Sequence, residues 1–441
     1  MQDVACPSAI WDIENECMSI DERKALQLQR LQTQVARLYD RVPFYRERLD
    51  SAGVSPDQIR SLDDVRRLPF TTKADLRDHY PYGMLAVPLE ECARLHCSTG
   101  TTGKPTVVAY TKKDMEIWSD LVARFATAAG VHKHDLVQIA FGYGLFTGGF
   151  GLHYGMERIG ACVLPVSGGN TDRQVQLLHD LRASVLVCTP SYSLHIAEVM
   201  KHAGLSPKDL NLRVGLFGSE PWTEEMRTEI EARLGISATD NYGLSEIIGP
   251  GVAGECGEKK GMHFQEDHFL VEHINPQTGE EAKPGELGEL VITALTREAF
   301  AAIRYRTRDL CYLMDEPCPC GRTTRRMTKL VGRSDDMLII RGVNVYPSQV
   351  EQVLLKMSGV EPHYLLTVAR AGAMDHLEIK VEMQAALFSD EMKRLHKIEK
   401  ELEHRLHSAL GVSFKLTLVE PGTLERGAGK AKRVLDLRKK E

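Results

Sequence analysis

Short apolar runs alternate with amphipathic stretches over the middle of the chain. The apolar runs occupy residues 136–141, 162–166, 184–188 and 214–217, and segments with helical spacing, such as 171–181 and 223–234, separate them. Short β-rich runs that alternate with helices are typical of a largely parallel sheet. The pattern therefore predicts an α/β fold between about residue 94 and residue 300.

The two ends of the chain carry different patterns. Residues 20–49 place apolar side chains near helical spacing, which predicts an amphipathic helix that ends at Pro43. Beyond residue 285, short strands and turns predict a β-rich region. After residue 335, strand candidates accompany one long helix whose apolar stripe runs from Met392 to Leu410. We therefore expect a large N-terminal domain of residues 1–334 and a small α+β domain of residues 335–441.

Composition narrows the class of protein. The chain has 441 residues, of which 43% are hydrophobic and 26% are charged, and its net charge of -6 argues against a nucleic-acid partner. The N-terminus lacks the pattern of a secretory signal. Residues 136–156 carry no charged side chain, but their six glycines predict a pocket wall rather than a membrane span. We expect a cytoplasmic protein without a membrane partner.

A loop rich in glycine and hydroxyl groups follows residue 97. Glycines let a backbone approach a ligand closely, and hydroxyls and amides donate hydrogen bonds to phosphate oxygens. The loop is not a Walker A motif, because two residues separate its glycines and Pro105 follows the lysine. The alternative is a simple turn between strands. The predicted phosphate contacts are Ser98, Thr99, Gly100, Thr101, Thr102, Gly103 and Lys104.

Four distant motifs add candidate chemistry. Glu246, in the segment 241–246, offers a carboxylate for Mg²⁺ or is a solvated turn residue. Asp309 lies close to arginines in the segment 305–309, where it would bind sugar hydroxyls or form a structural ion pair. Residues 332–336 lie at the change of composition and suit an interdomain hinge. Lys430 lies on a glycine-rich stretch that is either a functional loop or a basic tail.

A group of cysteines suggests a metal. Cys318 and Cys320 stand one residue apart, and Cys256 and His263 lie upstream in a glycine-rich, charged stretch. Three thiolates and one imidazole would make a closed, structural zinc site. Cys311, His268 and His273 are alternative ligands, and reduced thiols without a metal are the competing interpretation.

In this order, the five motifs resemble those of the adenylate-forming superfamily of acyl-CoA synthetases. Residues 41–46, 142–149 and 334–345 are more similar still to phenylacetate-CoA ligases. The resemblance implies a large adenylate-forming domain with mixed and parallel sheets and a small, mobile C-terminal domain. It also implies ATP, CoA and Mg²⁺, and a role in phenylacetate catabolism.

The resemblance assigns a role to each motif. A carboxylate would attack the α-phosphorus of ATP, and the thiol of CoA would then displace AMP. Lys430 would be the catalytic cation, Glu246 would hold Mg²⁺, and the loop at 98–104 would bind the β- and γ-phosphates. Asp309 would bind ribose with Arg333 nearby. The remaining ATP contacts would be Ser219, Glu220, Pro221, Asn241, Tyr242, Gly243 and Ser245.

The resemblance also implies a substrate slot and a moving domain. Tyr143, Phe146 and Gly148 would line a flat pocket for an aromatic acid, or would only pack the sheet. Asp335 falls at the hinge about which the C-terminal domain would rotate. An enzyme that passes another aryl or short hydroxy acid to a carrier-protein thiol or an amine is an alternative, as is a catalytically silent nucleotide-binding protein. The oligomeric state is open, with a homodimer as one option.

Overall fold

The computed structural model describes residues 9–97, 105–334, 338–340, 343–371, 374–384, 392–425 and 433–438. Its helices are α1 (Ile13–Glu16), α2 (Ile20–Arg41), α3 (Pro43–Ser51), α4 (Lys73–Asp78), α5 (Lys112–Ala128), α6 (Thr147–Ile159), α7 (Thr171–Asp180), α8 (Pro190–His202), α9 (Glu224–Leu234), α10 (Pro347–Leu355) and α11 (Met392–Leu410).

The strands fall into several sheets. They are β1 (Arg94–Cys97), β2 (Val107–Tyr110), β3 (Leu136–Ile139), β4 (Cys162–Leu164), β5 (Val185–Cys188), β6 (Val214–Gly218), β7 (Ser237–Leu244), β8 (Gly249–Glu255), β9 (Met262–Phe264), β10 (Phe269–Ile274), β11 (Gly288–Ala294), β12 (Tyr305–Cys311), β13 (Leu313–Met314), β14 (Arg326–Met327), β15 (Gly332–Arg333), β16 (Leu338–Ile340), β17 (Val343–Val345), β18 (Val360–Ala371), β19 (Met374–Met383), β20 (Lys415–Val419) and β21 (Val434–Asp436).

The N-terminal helix α2 forms as its apolar spacing predicts. Ser19 caps it through a reciprocal capping box with Glu22, and the apolar stripe of Leu31, Val35 and Leu38 is buried. The helix ends at Arg41, which confirms the predicted end before Pro43. Pro43 also starts α3, because the first turn of a helix does not need the N–H that proline lacks.

The large sheet has the order β13-β14-β9-β8-β7-β6-β5-β3-β4. The neighbours from β4 to β7 are parallel, and β8, β9, β14 and β13 continue the sheet antiparallel. Both faces of the parallel part are covered. Val185 and Val187 face the core formed with α5 and α6, whereas Leu186 and Cys188 face the core under α7, α8 and α9. A strand buried on both faces needs continuous apolar residues, which is the pattern the sequence shows.

Helices α5 and α6 pack unusually close together. A methyl group at Gly151 would lie 2.2 Å from Trp118 Cζ2, and one at Gly155 would lie 2.1 Å from Val122 Cγ1. These two glycines are four residues apart, so they lie on one face of α6. The glycines of residues 136–156 are therefore divided between the loop after β3 and the tightly packed face of α6.

Two four-stranded sheets and the two-stranded pairs β1–β2 and β16–β17 make up the rest of the described strands. An antiparallel sheet of order β10-β11-β12-β15 places Asp309 directly opposite Arg333. In the C-terminal part, the sheet β20-β19-β18-β21 packs with α10 and α11 around a separate core that includes Leu402, Leu406 and Leu410. The predicted apolar stripe on the last long helix is thus confirmed as core from Ile398 to Leu410. In the part of the chain that is described, no helix combines the length and the apolar character needed to span a bilayer.

Candidate active site

The segment from Asn241 to Glu246 leaves the end of β7 and enters a turn. Asn241 is tied to the neighbouring strand because its Nδ2 donates to the carbonyl of Phe217 over 2.5 Å. Gly243 has no room for a side chain, since a Cβ there would lie 1.9 Å from the carbonyl oxygen of Gly249. The close approach of β7 and β8 therefore requires glycine at this point of the motif.

Glu246 is a buried carboxylate with a cationic partner. Its side chain is 8% exposed, and its Oε1 lies 3.3 Å from Nζ of Lys73. The hydroxyls of the preceding residue, Ser245, and of Thr147 lie 3.0 Å apart. The site thus gathers carboxylate and hydroxyl oxygens, which are the donors that Mg²⁺ prefers. The sequence did not predict that Lys73 and Thr147 belong to this site, because no spacing links them to the motif.

Tyr242, Asp309 and Arg333, which were predicted from separate motifs, lie in one hydrogen-bonded group. The Tyr242 hydroxyl donates to Asp309 Oδ2 over 2.7 Å, and Arg333 Nη1 donates to Asp309 Oδ1 over 2.9 Å. Burial and the Asp309 carboxylate both raise the pKa of Tyr242, so its hydroxyl stays protonated and donates. The register of β12 with β15 sets this arrangement.

Ser219, Glu220 and Pro221 form the turn after β6. Ser219 has a φ of 71°, a left-handed backbone that is uncommon outside glycine. Glu220 Oε1 accepts a hydrogen bond of 2.7 Å from the backbone N–H of Ser191, at the start of α8. The bond holds the turn against the start of that helix.

The turn opens onto a cleft of about 1100 Å³. One wall belongs to the large N-terminal part and includes residues 219–225 and Arg333, and the other includes Glu351, Tyr364 and Arg433 of the C-terminal part. Four of the nucleotide-binding residues expected from the sequence therefore line this cleft, namely Ser219, Glu220, Pro221 and Arg333.

Tyr143, Phe146 and Gly148 lie at and before the start of α6. The Tyr143 hydroxyl is 3.2 Å from His153 Nδ1, and its ring meets Phe150 edge-to-face at 5.2 Å. Burial raises the pKa of Tyr143. Phe146 is 48% exposed, and a methyl group at Gly148 would lie 3.9 Å from the Phe141 ring. Their role in holding an acid stays a prediction.

Several expected site residues lie outside the described residues. They are Ser98, Thr99, Gly100, Thr101, Thr102, Gly103 and Lys104 of the phosphate loop, the hinge residue Asp335 and the catalytic Lys430. The residue before the loop is described: the Cys97 N–H donates to the carbonyl of Leu145 over 2.9 Å. Leu145 lies two residues before Thr147, whose hydroxyl contacts that of Ser245.

A second group brings together Cys256, His263, Cys318 and Cys320. Their ligand atoms all lie within 4.8 Å of one another. Cys256 Sγ is 3.7 Å from Cys318 Sγ, and Cys320 Sγ is 3.4 Å from His263 Nε2. A tetrahedral zinc site with bonds of about 2.0–2.3 Å spaces its ligand atoms at roughly these distances. The four residues predicted from the sequence therefore have the geometry of a metal site.

The electrostatics of this cysteine group are asymmetric. Hydrogen bonding from Cys256 and contact with His263 lower the pKa of Cys320 to about 2, whereas the same contact with Cys320 and burial raise the pKa of Cys256. The alternative ligands take other partners. His273 Nε2 lies 3.0 Å from the carbonyl of Cys311, and His268 Nδ1 lies 2.7 Å from Thr296 Oγ1.

Comparisons with known proteins match nearly the whole chain. Residues 18–295 match the family described as AMP-binding enzyme, and residues 342–438 match the AMP-binding enzyme C-terminal domain. The chain is 51% identical over 444 residues to a phenylacetate-coenzyme A ligase of Thermus thermophilus, covering 98% of this chain and 100% of the relative.

Solved structures agree with this relationship. A 2-hydroxyisobutyryl-CoA ligase in the postadenylation state, in complex with R3-HIB-AMP, has a TM-score of 0.92 at 30% identity, covering 99% of this chain and 94% of that one. The same ligase with 2-HIB-AMP and CoA, in the thioesterification state, has a TM-score of 0.73 at 31% identity, covering 100% and 94%. The arrangement of this chain is thus more similar to the first state than to the second.

Proposed function

Because this chain belongs to the phenylacetate-coenzyme A ligase family of AMP-binding enzymes, we propose that it activates phenylacetate with ATP and transfers it to coenzyme A. The acid's carboxylate attacks the α-phosphorus, which forms acyl-AMP and releases pyrophosphate. The thiol of coenzyme A then attacks the acyl carbon, and AMP leaves. The enzyme is an AMP-forming acid–thiol ligase.

The hydrogen-bonded group of Tyr242, Asp309 and Arg333 is the main structural support for the proposed nucleotide site. In this proposal the Asp309 carboxylate accepts hydrogen bonds from the ribose hydroxyls, while Arg333 and Tyr242 hold it in place. Adenine packs against Tyr242, beside Asn241 and the turn at Ser219, Glu220 and Pro221. Attack of one anion on another depends on positioning and charge stabilisation, which fixed groups of this kind supply.

Glu246 is the residue that we assign to Mg²⁺. Its carboxylate is buried, and the hydroxyl of the preceding residue, Ser245, contacts that of Thr147, so the turn supplies oxygen donors that fit a hard cation. When bound with ATP, the ion neutralises phosphate charge. Ser98 to Lys104 would hold the β- and γ-phosphates. The bond from Cys97 to Leu145 supports this assignment, because Leu145 lies two residues before Thr147, whose hydroxyl contacts Ser245.

We propose that the C-terminal domain moves between the two half-reactions. Lys430 brings positive charge between the acid and the α-phosphate, and Asp335 is the hinge between domains of residues 1–334 and 335–441. The higher similarity to a ligase in its postadenylation state supports a description of this arrangement as the one that follows adenylation. The cytoplasmic location and the homodimer stay predictions from the sequence.

An acid panel tests the substrate. Phenylacetate, benzoate, indoleacetate and short hydroxy acids are each supplied with ATP and Mg²⁺, and pyrophosphate release is measured. We expect phenylacetate to give the highest kcat/KM, because in this proposal Tyr143, Phe146 and Gly148 line a flat pocket for an aromatic ring. AMP release is then measured with and without coenzyme A. Little AMP release with coenzyme A alone would instead support transfer to a carrier-protein thiol or an amine.

We further propose that Cys256, His263, Cys318 and Cys320 hold a structural Zn²⁺. Four protein ligands leave no open position, so the ion would join the β8–β9 hairpin to the 318–320 turn. Metal analysis of the purified chain should find one zinc per molecule. Cys318→Ser should lose it, whereas Cys162→Ser, at an exposed cysteine, should keep it. Wild-type protein with almost no zinc would contradict the assignment.

A further inference from the structure

The chain builds a rigid support for Lys73. The preceding segment is joined to the start of β12, where the Thr71 N–H donates to the Arg304 carbonyl over 3.0 Å and the Arg306 N–H donates to the Thr71 carbonyl over 2.9 Å. The Thr71 hydroxyl also donates to the carbonyl of Ile303 over 2.6 Å. Thr71 is almost fully buried. Lys73 is therefore attached to the strand that carries Asp309.

The local turn fixes the direction in which Lys73 leaves the backbone. Asp75 Oδ2 accepts hydrogen bonds of 2.7 Å from both the N–H and the hydroxyl of Thr72. Arg48 forms an ion pair with the same aspartate. The two bonds form the capping box that starts α4, and the ion pair holds its acceptor Asp75, so Lys73 lies at a well-anchored helix start.

Lys73 extends from the surface into the site. Its side chain is 42% exposed, whereas that of Glu246, 3.3 Å away, is 8% exposed. The ammonium therefore neutralises a buried carboxylate, whose charge needs a partner. An ammonium has three N–H donors and binds phosphate as a compact charge, so one carboxylate contact leaves it able to bind more oxygens.

We propose that Lys73 is a polyphosphate-binding residue: it pairs with Glu246 before nucleotide arrives and then contacts the β- and γ-phosphate oxygens of ATP and the released pyrophosphate. The proposal rests on the function proposed above for Glu246. A cation at this point stabilises the negative charge that builds up on the leaving group as the bond to the α-phosphorus breaks. It makes no contact with AMP, which lacks these two phosphates.

Equilibrium binding tests this assignment without acid or coenzyme A. Calorimetric titrations of the full chain with ATP and Mg²⁺, with pyrophosphate and Mg²⁺, and with AMP are compared for wild type and Lys73→Met. We expect ATP and pyrophosphate to bind between about tenfold and about a hundredfold more weakly, which is the scale of one hydrogen bond to a charged group. AMP binding should be unchanged, and Lys73→Arg should recover part of the loss.

A matched control separates this role from a general loss of charge. Lys113 also lies in the first turn of a helix and pairs with a glutamate, since its Nζ is 3.0 Å from Glu298 Oε1. Lys113→Met should leave the binding of all three ligands unchanged. An equal loss for AMP and ATP in Lys73→Met, together with a lower melting temperature, would show a purely structural ion pair and overturn the proposal.

The remaining outcomes distinguish a failure of the Lys73 proposal from a failure of the ligase proposal. Unchanged ATP and pyrophosphate binding in Lys73→Met overturns the role of Lys73 and leaves the ligase proposal intact. A wild-type chain that binds ATP more tightly than Lys73→Met does, yet forms no thioester with any acid, supports Lys73 and contradicts the ligase proposal. A wild-type chain that binds neither ATP nor AMP overturns both.

Discussion

Glu351 is a buried carboxyl group on the C-terminal wall of the cleft. It is 5% exposed, the hydroxyl of Tyr364 donates to its Oε2 over 3.3 Å, and the Arg433 guanidinium lies 3.8 Å from that oxygen. Among the described residues, its Oε1 has no hydrogen-bond partner. Burial outweighs the attraction of Arg433 and raises the pKa of Glu351 from 4.5 to about 7. The neutral form is thus favoured in the folded protein.

Glu351→Gln should change how stability depends on pH. A raised pKa means that the folded chain binds the proton more tightly than the unfolded chain. Protonated Glu351 therefore stabilises the folded state fully below the unfolded pKa of 4.5, and this stabilisation is lost as the pH rises through about 7. As the pH rises from about 5 to about 8, the free energy of unfolding of the variant should increase relative to that of wild type by on the order of 2–3 kcal/mol.

Melting curves across this range, analysed for the C-terminal part, measure the effect. Glu401→Gln, at an exposed glutamate on α11 that pairs with Arg405, provides the control and should follow wild type. Parallel curves for wild type and Glu351→Gln would show that Glu351 does not titrate in this range.

Single residues also show where sequence reasoning succeeds. Tyr242, Asp309 and Arg333 were predicted separately, and the fold brings them together because each lies on or next to a strand whose pairing is fixed. Lys73 was missed because its meaning depends on an ion pair with a residue far along the chain. A tertiary contact of this kind leaves no period or spacing in the sequence.

At the scale of elements, the glycines of α6 determine how near it lies to α5. Gly151 and Gly155 face Trp118 and Val122, and neither position has room for a methyl group. The sequence suggested only that these glycines line a pocket, because glycine on a helix face and glycine in a loop look alike without the partner helix. The strands, by contrast, were predictable, since burial on both faces demands continuous apolar runs.

Gly155→Ala should destabilise the N-terminal part. The new methyl group would lie 2.1 Å from Val122 Cγ1, so α5 and α6 must separate or Val122 must move. Overpacking of this kind costs about 1–3 kcal/mol, which exceeds the gain in helix propensity from replacing glycine.

Thermal melting of the variant measures the loss. Gly144→Ala is the control, because no atom lies within 4 Å of a Cβ built there. A melting temperature for Gly155→Ala equal to that of wild type would mean that the two helices adjust without cost.

At the scale of the whole molecule, single polar contacts between described residues join the two parts across the cleft. Ser348 Oγ donates to the carbonyl of Val331 over 2.7 Å, and Lys356 Nζ lies 2.9 Å from Glu225 Oε1. Leu355 packs against the core under α7, α8 and α9. Exposed ion pairs contribute little to stability, so an interface of this kind can be exchanged for another at low cost.

Lys430→Ala should separate the two half-reactions. Adenylation, measured as acid-dependent pyrophosphate release, should fall by about a hundredfold or more because one preorganised charge is lost. Thioester formation from preformed acyl-AMP should remain close to wild type, since the α-phosphate is no longer under attack. Lys432→Ala, at the neighbouring lysine, is the control. Equal loss in both half-reactions would contradict the role.

The bonds between Thr71 and the segment 304–306 have a consequence for synthesis of the protein. Lys73 is synthesised long before the strand that supports it. Until that strand has been translated, the N-terminal quarter of the nascent chain has unpaired backbone groups and exposed apolar surface. Such long-range closure is slow and leaves the waiting segment open to aggregation. Chaperone dependence should therefore be greatest while residues 110–300 are being translated, and premature termination in that interval should yield insoluble fragments.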